Sequence, residues 1–145
     1  METISIVEYD DQQHHHQVAD LWQGTFGYDA PHNEAHLVID KKLAADDGLF
    51  YVALQGEQVI GTVMAGYDGH RGWIYSLAVI PELQKKGIGT RLVHRAEQAL
   101  TEIGCMKINL QITEGNEAVE QFYLVNGYAS EKRISMGKRI PENIK

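Results

Sequence analysis

The stretch Trp73–Thr90 constrains this chain most, because it places a strand, a proline and two glycines in succession. Trp73–Ile80 is a β-type run that Pro81 halts, since proline lacks the N–H a strand ladder needs. Gly87 and Gly89 then open a helix read over Gly87–Ile103. Ile88, Leu92, Ala96, Ala99, Leu100 and Ile103 recur there at helical spacing, and Gly104 closes it. An amphipathic helix that follows a buried strand so closely must lay its apolar stripe on a sheet, which makes the chain a layered α/β protein.

Extending this reading in both directions supplies the other elements. Thr3–Glu8 alternates Ile4 and Ile6 with polar residues as a first strand does. Asp10 and Asp11 offer caps for a helix running to about Gly24, with Val18, Leu21 and Trp22 on its inner face. Gly27 and Pro31 mark a loop over residues 25–32, and a second helix covers Glu34–Ala45. Leu49–Leu54 and Gln58–Tyr67 form a hairpin about Gln55-Gly56-Glu57, and Asp68–Gly72 is a further turn. Lys107–Ile112 reads as a strand, Asn116–Val125 as a short helix and Tyr128–Ile140 as mostly strand. The expected order is β-α-α-β-β-β-α-β-α-β. No repeat or linker interrupts it, so residues 1–145 are expected to form a single domain.

Composition narrows the function classes. A formal net charge of −7 argues against a nucleic-acid partner, which calls for a basic face, and is compatible with a cationic substrate. The apolar runs fall far short of the roughly 20 residues that span a bilayer, so no membrane partner is expected. Met1–Ser5 lacks a basic region followed by an apolar stretch, so no signal peptide is read and the expected location is cytoplasmic. Cys105 is the single cysteine. It excludes an internal disulfide or a multi-cysteine zinc site, and its place at the start of a strand suits a small hydrophobe better than a nucleophile. His14, His15 and His16 would point about 100° apart on a helix, which reads as surface histidines and no metal.

The chemistry is concentrated in Leu77-Ala78-Val79 and in Gln84-Lys85-Lys86-Gly87-Ile88-Gly89-Thr90. The first N–H groups of a helix lack intrahelical partners, and the macrodipole makes that end positive. Glycine lets a phosphate approach the backbone, and Lys85 and Lys86 add charge, so the segment can hold an anion. A dinucleotide fingerprint would want glycine at position 92, where Leu92 stands, and the Gly-Lys-Ser/Thr of a P-loop is absent from the chain. The run Gln84–Gly89 resembles the Gln/Arg-x-x-Gly-x-Gly/Ala signature of the GNAT superfamily of acetyltransferases, and Leu77-Ala78-Val79 is similar to the strand preceding it. The resemblance implies a mostly antiparallel central sheet flanked by helices, with acetyl-CoA as cosubstrate. It implies that backbone groups of residues 77–79 hold the pantetheine arm and that residues 84–90 hold the pyrophosphate.

A second motif lies downstream. Asn116, then Tyr123, then Gly127-Tyr128 have the spacing of the family's later signature, with Val119 where the family usually has alanine. By periodicity alone Phe122 and Tyr123 could be core aromatics. The resemblance implies that Tyr123 gives its proton to the departing thiolate and that Asn116 lies near the cosubstrate. As a helix cap, Asn116 would serve in any case.

The general base is the weak point. Many relatives carry glutamate where this chain has Tyr75, and the branch that acetylates ribosomal protein N-termini carries glutamate where it has Gln111. Asp68, His70 and Glu34 are the remaining candidates. Gly66–Gly72 can be a bare hairpin turn, or the edge of the acceptor cleft with Asp68, His70 and Arg71 presented to the substrate. That segment, with the residues before it, resembles the YpeA-like bacterial branch. Tyr28 and Asp29 would stand on the opposite wall. Tyr128–Ile140 leaves no room for a long loop over the acceptor, so either the cleft is open or a second copy completes it as a homodimer. The expected activity is acetyl transfer from acetyl-CoA to a primary amine, on a small molecule or a peptide, by direct attack in a ternary complex. The alternative is a non-catalytic acyl-CoA-binding sensor.

Overall fold

A computed structural model describes residues 3–27 and 31–141. They divide into two compact units, one ending at Gln111 and one beginning at Ile112. The first contains a sheet of five strands: β1 (Ile4–Glu8), β2 (Phe50–Gln55), β3 (Gln58–Tyr67), β4 (Gly72–Val79) and β5 (Ile108–Asn109). Sheet order follows chain order; β1 to β4 pair antiparallel, and β5 lies parallel to β4. The unit's helices are α1 (Asp11–Phe26), α2 (Ala35–Ala45) and α3 (Ile88–Glu102), and the second unit holds α4 (Glu117–Val125).

Local chemistry sets the helix ends. Asp10 accepts the N–H groups of Gln12 and Gln13 at the start of α1, and Glu34 accepts those of His36 and Leu37 at the start of α2. Caps of this kind contribute about 1 kcal/mol each. Helix α1 continues past Gly24 to Phe26, because the left-handed turn comes only at Gly27, with φ 72°. One core joins Val18, Ala19 and Trp22 of α1 and Ile39 of α2 to Phe50, Val52 and Met64 of the sheet. Neighbouring strand residues point the other way. Arg95 of α3 lies 4.5 Å over the Tyr51 ring, and Leu92, Val93, Ala96 and Leu100 are fully buried. Burying each such aliphatic side chain is worth about 1.5–3 kcal/mol.

Cys105 is buried. Its Sγ donates to the Lys107 carbonyl at 3.3 Å and lies 2.7 Å from where a Cβ on Gly72 would stand, so it fills space as a small hydrophobe.

Three expectations are corrected. The strand expected over Lys107–Ile112 is only two residues long, because β5 finds partners only in Gly72 and Trp73. The final strand expected over Tyr128–Ile140 does not form. Those residues pair with no strand, and Ile134, Met136 and Ile140 are 91%, 90% and 78% exposed. Alternation permits a strand, but a ladder needs a partner. His14 is not a surface residue; it is 4% exposed, its ring facing Tyr9 and its Nδ1 accepting the Asp10 N–H at 3.0 Å. Its neighbour His15 instead bonds Asp11 and His36, each at 2.8 Å.

Candidate active site

Strand β4 departs from regular pairing midway. Met64 pairs with Tyr75 and Thr62 with Ala78, which leaves Ser76 and Leu77 without partners in β3. Ser76 takes a positive φ of 54°, which a residue with a Cβ rarely adopts. The buried Trp22 Nε1 donates to Thr62 Oγ1 at 2.8 Å, and that hydroxyl donates to the Ser76 carbonyl at 2.9 Å. Among the described residues, β4 is paired on its other edge only at Gly72 and Trp73, so Leu77, Ala78 and Val79 face no strand there.

The loop after β4 leads directly to α3. Ile80 N–H closes the ladder on the Ile60 carbonyl, Pro81–Leu83 forms one 3-10 turn, and Gln84 Nε2 folds back to donate to the Val79 carbonyl at 3.0 Å. Lys85 and Gly87 follow with φ 65° and 86°, and Lys85 and Lys86 are exposed. Gly87 caps α3 without a side-chain hydrogen bond, and a Cβ built on it meets nothing within 4 Å. Ile88 is buried beneath the first turn, while Gly89 and Thr90 are partly exposed. A strand end, two left-handed residues and an uncapped helix start, flanked by two lysines, have the geometry of an anion cradle.

The Gly66–Gly72 segment is a closed turn. Asp68 Oδ1 accepts the N–H groups of His70 and Arg71, each at 2.7 Å, and Oδ2 accepts Trp73 Nε1 at 3.3 Å. The Arg71 and His70 N–H bonds hold the Asp68 carboxyl below the usual carboxylate range and staple the turn. His70 Nδ1 sits 3.0 Å from Arg71 Nη1 on the exposed side of the same turn. Glu34 is occupied as the α2 cap, and the His36 and Leu37 N–H groups lower its pKa in the same way. Both acids are held by backbone N–H groups.

Tyr75 carries a partner that sequence reasoning missed. Lys42 of α2 is buried, and its Nζ donates to Asp47 Oδ2 at 2.8 Å, to Tyr75 Oη at 3.0 Å and to the Ala65 carbonyl. A lysine among the polar positions of a helix reads as solvated; only the approach of β3 and β4 encloses it. Tyr75 itself remains 40% exposed.

In the second unit Asn116 caps α4, its Oδ1 accepting the Val119 N–H at 3.3 Å. Tyr123 is 6% exposed, packed edge-on against Phe122 and Tyr128 at 5.0 and 5.4 Å between ring centres. Burial pushes its pKa up to about 12, so the phenol keeps its proton at neutral pH. Tyr28 and Asp29 lie outside the described residues. Among the described residues no group of three His, Cys, Asp or Glu could hold a metal ion, and no helix is long and apolar enough to cross a membrane.

Solved structures share this fold. The aminoglycoside N-acetyltransferase AAC(6')-Iy in complex with CoA superposes with a TM-score of 0.79 over 96% of each chain, at 16% identity. The PaiA N-acetyltransferase of Thermoplasma acidophilum in complex with coenzyme A gives 0.78 at 18% identity, covering 91% of this chain and 93% of that one. Glucosamine-6-phosphate N-acetyltransferase of Arabidopsis thaliana gives 0.71 at 18% identity, over 97% and 100% of the two chains. At such identities the likeness establishes the fold. The family follows from the sequence itself: the model of the Acetyltransferase (GNAT) family matches residues 15–128, and the chain belongs to that family of N-acetyltransferases.

Proposed function

We propose that this chain transfers the acetyl group of acetyl-CoA to a primary amine by direct attack in a ternary complex. The observation that carries the reading is the uncapped start of α3, with left-handed Lys85 and Gly87 directly after the kinked β4. In this reading Gln84, Lys85, Lys86, Gly87, Ile88, Gly89 and Thr90 surround the pyrophosphate. Backbone groups of Leu77, Ala78 and Val79 hold the pantetheine arm, and Asn116 lies near the cosubstrate. Tyr123 gives its proton to the sulfur as the thioester C–S bond breaks. A phenol held protonated by burial suits a donor, and such a group typically contributes about 10² to 10⁴ in rate.

The amine must lose a proton before or during attack. With Asp68 and Glu34 engaged as backbone staples, a water relay past Tyr75 is the route this reading favours. Small-molecule amines of the aminoglycoside and hexosamine type, on which the structural neighbours act by name, head the acceptors to be tried, followed by peptides. The reading keeps the YpeA-like branch, on the Gly66–Gly72 segment, and a cytoplasmic location beside the acetyl-CoA pool. It also keeps a homodimer, supported by the exposed Ile134, Met136 and Ile140.

The test is CoA-thiol release from acetyl-CoA across aminoglycosides, amino sugars, polyamines, amino acids and peptides, for wild type and Tyr123→Phe. Amine-dependent turnover that falls about 10²-fold in the variant, with acetyl-CoA binding retained, is the expected result. Binding without turnover would favour the sensor alternative. Absence of acetyl-CoA binding would end the proposal.

A further inference from the structure

The kink in β4 is held by a side chain that neither signature motif contains. Ser76 occupies a left-handed conformation that costs free energy unless its surroundings enforce it. Thr62 is fully buried, and its hydroxyl lies between Trp22 Nε1 and the Ser76 carbonyl, at 2.8 and 2.9 Å. A hydroxyl has one proton and two lone pairs. Here it accepts from the indole N–H, which has no acceptor capacity, and so gives its own proton to the carbonyl. The polarity of the chain is therefore fixed from α1 through β3 to β4. The peptide after Ser76 is trans and planar, so the Leu77 N–H points opposite to the carbonyl that Thr62 holds. Thr62 and Trp22 thereby set the direction of a backbone donor at the first residue of the Leu77–Val79 stretch.

We propose that Thr62, itself fixed by Trp22, is a positioning residue for the cosubstrate, locking the Ser76–Leu77 peptide so that β4 presents its backbone to the pantetheine arm of acetyl-CoA. This inference rests on the proposed function for the identity of that ligand. It does not rest on it for the clamp itself, which belongs to the free protein. The clamp also explains why a polar side chain occupies a fully buried position in a strand otherwise lined by valine, isoleucine, methionine and alanine. Valine would fill the same volume and leave the indole N–H and the Ser76 carbonyl without their shared partner.

Two measurements on Thr62→Val, with Thr62→Ser as the rescue, decide the matter. In the ligand-free protein, the Leu77 amide resonance is expected to shift and broaden in Thr62→Val, as the peptide samples more than one orientation, and to return toward wild type in Thr62→Ser. In the acetyl-transfer assay, the KM for acetyl-CoA is expected to rise about tenfold in Thr62→Val with kcat changed much less, and Thr62→Ser is expected to restore it. A fall in melting temperature with KM and the Leu77 resonance both unchanged would mark Thr62 as ordinary core and overturn the proposal. Should Thr62→Val not fold, Trp22→Phe removes the donor that fixes the hydroxyl together with part of a buried ring, and the same two readouts apply, with the melting temperature reporting the lost packing. A Leu77 resonance altered in Thr62→Val, with a wild type that binds no acetyl-CoA, would leave the clamp standing but overturn its assignment to the cosubstrate, and would count against the proposed function. An unaltered Leu77 resonance in Thr62→Val, with an active wild type, would count against the clamp alone.

Discussion

Gly87 is the residue at which backbone conformation and the proposed function meet. Its φ of 86° lies where a Cβ is strained, yet nothing stands within 4 Å of the position a Cβ would take. Steric room is therefore not what requires glycine; the backbone conformation is. Gly87→Ala is expected to lower stability by about 1–2 kcal/mol, read by urea unfolding. Under the proposed function it is also expected to raise the KM for acetyl-CoA severalfold, since the loop must relax or the added methyl must meet the phosphate seated there. Lys85, left-handed at 65° two residues earlier, already bears such strain. The glycines and lysines of this loop were legible from the sequence because the conformations they permit are local properties. Lys42 was not legible. Its three partners, Asp47, Ala65 and Tyr75, come from a loop and two strands that meet only in the folded chain.

Helix α1 carries a charge-state constraint of its own. His14 is buried with Nδ1 accepting the Asp10 N–H, and burial lowers its pKa from the ordinary 6.5 despite the opposing pull of the Asp10 carboxylate. A folded-state pKa below the unfolded value contributes stability that is present above pH 6.5 and lost as pH falls through the folded value. The melting temperature is expected to decline on acidification below about pH 6.5, with a shallower decline in His14→Gln followed by circular dichroism. Element positions were read closely wherever a cap or a turn residue marked them: Asp10, Glu34, Gly56, Pro81 and Asn116 all stand at element ends. The depth of each element was not legible. A run of three histidines reads as surface, and only the packing of α1 against Tyr9 turns the first of them inward.

At the scale of the whole molecule, alkaline stability reports on the buried phenols. Burial raises the pKa of Tyr123 to about 12 from 10.0, so the native state holds its proton more tightly than the unfolded chain does. The stability it contributes is complete below pH 10 and is lost as pH rises through the folded value, a change on the order of 2 kcal/mol. Burial and the Asp11 carboxylate raise Tyr9 as well, so wild type is expected to lose stability steeply above pH 10. Tyr123→Phe is expected to flatten part of that slope, measured by urea unfolding at pH 9 to 11. The sequence by itself determined the class and the order of nearly all the elements, because hydrophobic period, caps and glycine conformations act over a few residues. It also determined the two motifs that identify the family. Only the tertiary structure decided that β5 stops after two residues and that Tyr128–Ile140 forms no strand, since a strand exists by virtue of its neighbour. It alone decided that Asp68 and Glu34 are tied to backbone, and that Trp22, Thr62 and Ser76 join three elements in one hydrogen-bonded chain. Residues forty positions apart carry no local sign that they will meet.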